Sequence, residues 1–316
     1  MATRSVIACA KLKAVAVILD HVKDENGDGA ADVTDVELFL KRNKAARKAL
    51  KADDNYPGGD FRSPECVALL KEADIVVTNP PFSLFREYLA QLVKYDKKFL
   101  IIANKNAITY KEVFRLIKDN TLWMGVTPMG SDLLFDVPPH VAKSMLESGK
   151  RGSNYRIVNG KVMGRSTSVW FTNLDHGRRH EKLPLMTMED NLRFSKHAAI
   201  KGKAAYARYH NYDAIEVPFT DAIPTDYDGL MGVPITFLDK YNPEQFEIVG
   251  RSENEDLYGL KTRVYTTKEC QAAYRRLFGK KGTYDMNATP VIDGRKVYQR
   301  LFIRRRSTKP AKGRKK

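Results

Sequence analysis

The segment Asp74–Phe82 constrains the fold of this chain more than any other part of its sequence. It reads DIVVTNPPF, so a short apolar run follows a charged residue and ends at the double proline Pro80-Pro81. This pattern predicts a buried strand of a parallel sheet. Because proline cannot continue a strand, we expect Asn79 at the carboxyl end of that strand, the edge at which open α/β sheets bind their ligands.

Helices and strands alternate around this segment. Ser63 is a favourable helix cap and Pro64 a favourable first helical residue, so a helix is predicted from Pro64 to about Glu72. The other predicted elements are an amphipathic helix within 83–95, strands at 98–103 and 121–126, and a helix at 110–118. This alternation predicts an α/β fold with a doubly wound, mostly parallel sheet.

The residues Asn79, Pro80, Pro81 and Phe82 suit the activation of a planar amino group. Such a group is a poor nucleophile because its lone pair is delocalised into the π system. The side-chain oxygen of Asn79 and the carbonyl of Pro80 can each accept one amino hydrogen, which favours a pyramidal nitrogen, while Phe82 offers a ring for stacking. These groups act by position and electrostatics. The alternative is a strand that simply ends at Asn-Pro-Pro, with Phe82 in the core.

Long blocks of the chain resemble the EcoRI-type adenine-specific DNA methyltransferases. The resemblance covers most of 59–306 and includes ADIVVTNPPFSLFREYL at 73–89, YDKKFLIIANKNAITYKEVF at 95–114 and YDGLMGVPITFLDKYNPEQFEIVG at 227–250. It implies a methyltransferase core followed by a mixed α+β target-recognition region. It also implies transfer of a methyl group from S-adenosylmethionine to the exocyclic amino group of adenine in double-stranded DNA, with the catalytic motif on Asn79–Phe82.

The same resemblance implies that Asp60 and Phe61 bind the adenine ring of S-adenosylmethionine. Asp60 would accept a hydrogen bond from the amino group of the cofactor, and Phe61 would pack on its ring. The alternative is a solvated loop carboxylate near a helix start. The glycine-rich turn and the ribose-binding acid of such enzymes are not found before Asn79, so we expect the chain to lack the amino-terminal, cofactor-binding part of the family.

Residues 24–35 follow the spacing of a calcium-binding loop. Oxygen-bearing side chains stand at positions 1, 3, 5, 9 and 12 of that loop, with Gly29 at position 6 and a helical pattern afterwards. The predicted ligands of a structural Ca²⁺ are Asp24, Asn26, Asp28, Asp32 and Asp35. The alternative is an Asp/Asn/Gly turn that fixes its own backbone without metal.

Charge indicates the class of partner. The net charge is +16, with 54 basic and 38 acidic residues, and the last thirteen residues carry eight basic and no acidic side chains. A basic, disordered tail at 304–316 is therefore predicted to contact DNA phosphates. The loop HGRRH and the basic segment 196–208, which we expect to be mobile, are further candidates, although a solvated charge run is the alternative. The predicted DNA-contacting residues are His176, Arg178, Arg179, Arg304, Arg305 and Arg306.

The sequence predicts four regions. They are an amino-terminal segment at 1–58, a catalytic core at 59–126, the remaining core strands with the DNA-recognition region at 127–303, and the tail at 304–316. The three cysteines are scattered, and neither a signal peptide nor an apolar run long enough to span a bilayer is present. We therefore expect a cytoplasmic, monomeric protein.

Three functions remain open from the sequence. The first is adenine methylation of DNA by a restriction–modification system or a phage. The second is methylation of another planar amino group, in an RNA base or a protein glutamine. The third is a catalytically impaired, DNA-binding fragment of a methyltransferase, favoured by the missing cofactor turn. The basic tail and the long family blocks favour the first.

Overall fold

A computed structural model describes residues 5–9, 14–19, 23–43, 47–130 and 133–306, with only the backbone described for 5–9, 18 and 47. The chain separates into two compact units. One comprises 1–76 and 84–98, and the other comprises 77–83 and 99–316. These borders differ from those of the predicted regions, and the predicted tail from 307 onwards lies outside the described residues.

The predicted helices form with small changes at their ends. Ser63 caps the second helix, since its hydroxyl accepts a hydrogen bond from the backbone N–H of Cys66. Its observed range is the predicted one because the cap and the following proline are local signals. The helices are α1 (Val33–Arg42), α2 (Pro64–Glu72), α3 (Phe85–Lys94), α4 (Lys111–Lys118), α5 (Pro139–Glu147), α6 (Met188–Phe194) and α7 (Thr267–Phe278).

The strands form several sheets. The first strands are β1 (Ser5–Cys9), β2 (Val15–Leu19), β3 (Arg47–Ala49), β4 (Ile75–Thr78), β5 (Lys98–Asn104), β6 (Trp123–Met124), β7 (Leu133–Asp136) and β8 (Tyr155–Val158). The later strands are β9 (Lys161–Ser166), β10 (Ser168–Thr172), β11 (Ala214–Glu216), β12 (Leu230–Pro234), β13 (Phe246–Arg251), β14 (Val291–Ile292), β15 (Arg295–Lys296) and β16 (Arg300–Arg305). In the first sheet, β2 pairs with β1 and with β3, both antiparallel.

The sheet that carries the Asn-Pro-Pro-Phe segment has the strand order β4-β5-β10-β6. Strand β10 runs antiparallel to both β5 and β6, so these pairings do not form a purely parallel sheet. The α/β class is confirmed, whereas the doubly wound parallel arrangement is not what these pairings show. Strand β10 follows the region of alternating helices and strands by about forty residues. The alternation therefore could not predict that this strand would pair within the sheet.

The prediction that the strand before Asn79 is buried is wrong for the described residues. Ile75 and Val77 are 53% and 63% exposed, and β4 stands at the end of its sheet. A four-residue apolar run has the same composition in a central and in an edge strand, because only the neighbouring strands decide its burial. The predicted position of Asn79 is confirmed, since β4 ends at Thr78.

The interior of the second unit is built around β5 and β16. Phe99, Ile101 and Ala103 alternate as buried residues along β5, as expected for a strand with one face in the core. Helix α4 buries Val113, Phe114 and Ile117 on one side. A second sheet has the order β11-β12-β16-β13, with β11 parallel to β12 and the other pairs antiparallel.

The predicted tail begins too early. Arg304 and Arg305 belong to β16, opposite Glu247 and Phe246 of β13. The basic run RRR suggested disorder, but apolar Leu301, Phe302 and Ile303 lead directly into it and extend the strand. None of the helices in the described residues is both long and apolar enough to cross a bilayer.

Candidate active site and DNA-facing residues

The segment after β4 forms an accessible corner. Asn79 and Pro81 are exposed and Pro80 is buried, while Phe82 is 45% exposed and opens a 3-10 turn that ends at Leu84. A buried proline of fixed φ anchors the backbone, whereas the amide of Asn79 and the ring of Phe82 remain open to a substrate. This arrangement suits a rigid pair of hydrogen-bond acceptors beside an aromatic surface.

Asp60 and Phe61 lie in the turn before α2, in the first unit. The Asp60 carboxylate accepts hydrogen bonds from Arg62, at 2.9 Å from Nε and 2.8 Å from Nη2. These bonds hold the pKa of Asp60 below its usual value, although partial burial acts in the opposite direction. The ring of Phe61 meets Tyr88 edge-on at 4.9 Å, and its carbonyl accepts a hydrogen bond from Gln91. Asp60 is therefore an ionised acceptor beside a half-buried aromatic ring.

The predicted calcium loop uses its carboxylates on its own backbone. Asp24 accepts hydrogen bonds from the N–H groups of Gly27, Asp28 and Gly29. Asp35 is buried and accepts from Glu25, Asn26 and Asp32, which lowers the pKa of Asp35.

Within the described residues, no group of three or more acidic, His or Cys side chains is arranged to hold a metal ion. The calcium prediction is therefore not supported for Asp24, Asn26, Asp28, Asp32 and Asp35. The alternative, a self-bonded turn before a capped helix, describes this loop: Asp32 caps α1 and forms a capping box with Asp35. The spacing of oxygen-bearing side chains gave a misleading prediction because calcium-binding loops and Asx turns share this spacing.

Arg179 is buried instead of facing DNA. Its guanidinium lies 3.6 Å from the ring centroid of Trp123 and donates a hydrogen bond to the side chain of Asn120. Burial lowers the pKa of Arg179. The prediction that Arg179 contacts DNA is therefore corrected, because its side chain joins the loop to β6.

The neighbouring residues of the loop are also tied to the protein. His176 Nε2 lies 2.9 Å from the carbonyl oxygen of Met124, and Arg178 donates to the carbonyl of Val126. His180 lies 2.9 Å from Asp175 and 3.0 Å from Glu244, which raises the pKa of His180. His176 and Arg178 both keep partial exposure, and their DNA contacts stay predictions.

The segment 196–208, predicted to be a mobile insertion, is fastened at several points. His197 stacks on Phe219 at 3.6 Å and pairs with Asp221, and the hydroxyl of Tyr206 donates to the carbonyl of Ala222. Its lysines at 201 and 203 stay exposed. Of the carboxyl-terminal arginines, Arg304 and Arg306 are exposed and Arg305 is half-buried.

Comparison with known proteins decides the family. The model of the family described as adenine-specific methyltransferase EcoRI matches residues 5–306. The chain belongs to this family. No solved structure matches this methyltransferase.

Several curated relatives are similar to this methyltransferase. Type II methyltransferase M.EcoRI of Escherichia coli is 46% identical over 234 residues, covering 72% of the chain and 67% of the relative. A type II methyltransferase of Mycoplasma genitalium is 38% identical over 242 residues, covering 76% and 70%. Type II methyltransferase M.MpnI of Mycoplasma pneumoniae is 37% identical over 217 residues, covering 66% and 61%.

The position of Arg179 leads to a test of its structural role. We expect Arg179→Gln to lower the free energy of unfolding by about 2 kcal/mol, because a desolvated cation–π contact and a hydrogen bond are lost. Urea unfolding measures this change, with Arg178→Gln as the matched control in the adjacent position. An unchanged unfolding midpoint together with weaker DNA binding would return Arg179 to the DNA surface.

Proposed function

We propose that this methyltransferase transfers a methyl group from S-adenosylmethionine to the N6 amino group of an adenine flipped out of double-stranded DNA. Membership of the adenine-specific methyltransferase family supports the reaction class. The observation that carries the proposal is the accessible corner at the end of β4, where Asn79 and Phe82 are exposed above the buried Pro80.

The chemistry follows from the groups at that corner. The side-chain oxygen of Asn79 and the carbonyl of Pro80 each accept one hydrogen of the amino group. Two acceptors at fixed angles localise the lone pair on the nitrogen. The nitrogen would then bond to the methyl carbon as its bond to the sulfonium sulfur breaks; the sulfur would leave as a thioether with that electron pair, and the extra amino proton would pass to solvent. Pro81 keeps the backbone rigid, and Phe82 stacks on the purine ring.

S-adenosylmethionine supplies an electrophilic methyl group when it is bound. The donor set of Asp60 and Phe61 fits one part of it, because an ionised carboxylate accepts from an adenine amino group and an aromatic ring packs on a purine. Arg62 donates to Oδ1 of Asp60 through its backbone N–H and Nε and to Oδ2 through Nη2, so the carboxylate is held in one orientation and Oδ2 keeps a lone pair for the cofactor. We assign Asp60 and Phe61 to the adenine end of the cofactor.

Double-stranded DNA is the proposed partner. An exocyclic amino group inside a duplex cannot reach a protein corner, so the adenine has to leave the stack. The residues proposed to contact DNA are the exposed Arg304 and Arg306 and the partly exposed His176, Arg178 and Arg305. We also propose that β4, α3 and β5 are the βαβ part of a mostly parallel, doubly wound sheet into which β10 is inserted. A monomeric state and a cytoplasmic location remain predictions.

A methylation assay tests this function. Purified protein is incubated with S-adenosylmethionine carrying a labelled methyl group and with unmethylated duplex DNA of mixed sequence. The DNA is then digested to nucleosides, and we expect the label in N6-methyladenine. Label that appears instead in RNA or in protein glutamine would favour the second function. Failure of the protein to bind S-adenosylmethionine by calorimetry would leave the impaired DNA-binding fragment.

A further inference from the structure

Helix α5 and strands β7, β8 and β9 form an excursion from the sheet that contains β4. Strands β6 and β10 are direct neighbours in that sheet, with Met124 opposite Phe171. In the chain, however, they are separated by the whole excursion, residues 133–166, which forms its own three-stranded sheet in the order β7-β9-β8. Pairing of the core strands does not use these residues.

The excursion is strongly basic. Residues 133–166 contain six basic side chains and two acidic ones, Asp136 and Glu147. The basic residues are Lys143, Lys150, Arg151, Arg156, Lys161 and Arg165. Such a density of positive charge within a folded segment is the electrostatic signature of a polyanion-binding surface.

The strand register places three of these basic side chains on one face of the sheet. The paired residues are Leu134–Arg165, Asp136–Met163, Arg156–Met163 and Val158–Lys161. Since paired residues point to the same side of a sheet and the side alternates along each strand, Arg156, Lys161 and Arg165 share a face. We call this surface the basic face. It also carries one acid, Asp136, whose carboxylate lies 2.8 Å from Lys161.

The opposite face carries aromatic residues, of which Tyr155 is buried and Phe135 is 48% exposed. Phe135, Gly164 and Tyr155 form one row across the three strands. A Cβ atom on Gly164 would come within 2.6 Å of the Phe135 ring, so this glycine lets the ring lie flat on the sheet. The two faces therefore differ in chemistry, since every Lys and Arg side chain of the three strands lies on the basic face.

The hairpin between β8 and β9 is a narrow projection. Asn159 and Gly160 connect the strands in a two-residue turn, with φ of 49° and 77°, which matches the twist of a hairpin. Ile157 and Val158 beside the turn are both partly exposed. A two-stranded ribbon is narrow enough to enter the major groove of DNA.

We propose that the basic face binds the phosphate backbone of double-stranded DNA through Arg156, Lys161 and Arg165. This inference rests on the proposed function, for which it supplies a DNA-binding surface. The pair between Lys161 and Asp136 is exposed on both sides, and exposed pairs are weak, so Lys161 can exchange its partner for a phosphate. Arg165 donates to the carbonyl of Ser153, which restrains its side chain before binding.

Salt-dependent DNA binding tests the proposal. The first variant combines Arg156→Gln, Lys161→Gln and Arg165→Gln. The matched control combines Lys111→Gln, Arg115→Gln and Lys118→Gln on α4, where Arg115 also forms an exposed pair, with Asp119. Binding of a fluorescent random-sequence duplex by the full chain is measured over a series of salt concentrations. Each lost phosphate contact should reduce the slope of log affinity against log salt by about 0.9, so the first variant should lose about 2.7 and the control nothing.

A second variant changes affinity in the opposite direction. Asp136→Asn removes the one acid from the basic face and releases Lys161, so we expect tighter duplex binding than in the wild type and a slope at least as steep. Partial unfolding of the triple variant would lower the active fraction without changing the slope, and it cannot produce a gain in Asp136→Asn. The pair of results therefore separates a DNA contact from a folding defect.

Other outcomes overturn the proposal. A groove of about 710 Å³ beside α7 is a rival basic surface, lined by Lys268, Arg275, Arg276 and Lys281. If glutamines at Lys268, Arg275 and Lys281 reduce the slope while the basic-face variant matches the wild type, the duplex lies on α7 and the inference is wrong. If the wild type methylates DNA and the basic-face variant retains the full slope, only this inference fails. If the wild type neither binds nor methylates duplex DNA, the proposed function fails as well.

Discussion

Asn79→Ala should lose methyl transfer while duplex DNA binding remains close to that of the wild type. Removal of one preorganised hydrogen-bonding group from a reacting centre lowers the rate constant by about 10²–10³-fold, and here the same group also positions the amino nitrogen, so we expect the upper end of that range. Because Asn79 is exposed at the end of β4, its truncation opens no cavity in the core.

Single-turnover methylation with labelled S-adenosylmethionine measures the expected loss. Asn254→Ala is the matched control, since it removes an exposed asparagine side chain from another loop of the same unit. DNA binding by anisotropy and the urea midpoint are recorded for both variants. Methylation at the wild-type rate in Asn79→Ala would remove this residue from its proposed role, and equal loss in the control would point to a general defect.

Short-range signals gave the sequence-based predictions that the structure confirms. Ser63 and Pro64 define the start of α2 within two residues, and Pro80 stops β4 directly after Thr78. Each of these signals acts through the backbone of its own neighbourhood, by a cap hydrogen bond or a fixed φ. A single sequence is sufficient for such features, and the position of Asn79 directly after β4 is one of them.

Side-chain environment depended on residues far away and could not be predicted in the same way. Arg178 and Arg179 are adjacent and chemically identical, yet only Arg179 stacks on Trp123, which lies more than fifty positions earlier in the chain. Likewise, Ile75 and Val77 have the composition of a buried strand, but no described neighbour covers that side of β4. Periodicity shows which residues share a face and does not show what lies against that face.

For the same reason, the sequence alone did not predict a buried ion pair between two distant strands. Glu216, at the end of β11, accepts hydrogen bonds from Arg300, at the start of β16, with 2.6 Å between Oε1 and Nη2. Each side chain is only 10% exposed, and the hydroxyl of Tyr209 also donates to Glu216. Burial alone would lower the pKa of Arg300, but the bonds and the charge of Glu216 outweigh it and raise that pKa.

Glu216→Gln should therefore destabilise the protein strongly. The amide keeps the shape of the side chain but leaves the buried guanidinium of Arg300 without a counter-charge, a change that lowers the free energy of unfolding by about 3–5 kcal/mol. Urea unfolding measures it. Asp213→Asn is the matched control, because it makes the same acid-to-amide change in the exposed pair with Arg208 and should alter the free energy by no more than about 1 kcal/mol.

Glu216, Arg300 and Tyr209 form a buried polar cluster. Replacing all three with apolar residues distinguishes the effect of an uncompensated charge on stability from the effect of lost packing. We expect the combination Glu216→Leu, Arg300→Met and Tyr209→Phe to unfold at a higher urea concentration than Glu216→Gln, since it removes every buried polar group of the cluster at once. If the triple variant is the less stable of the two, shape and hydrogen-bond geometry dominate the cluster. If Glu216→Gln itself unfolds like the wild type, the pair between β11 and β16 contributes nothing to stability, and water must reach Arg300.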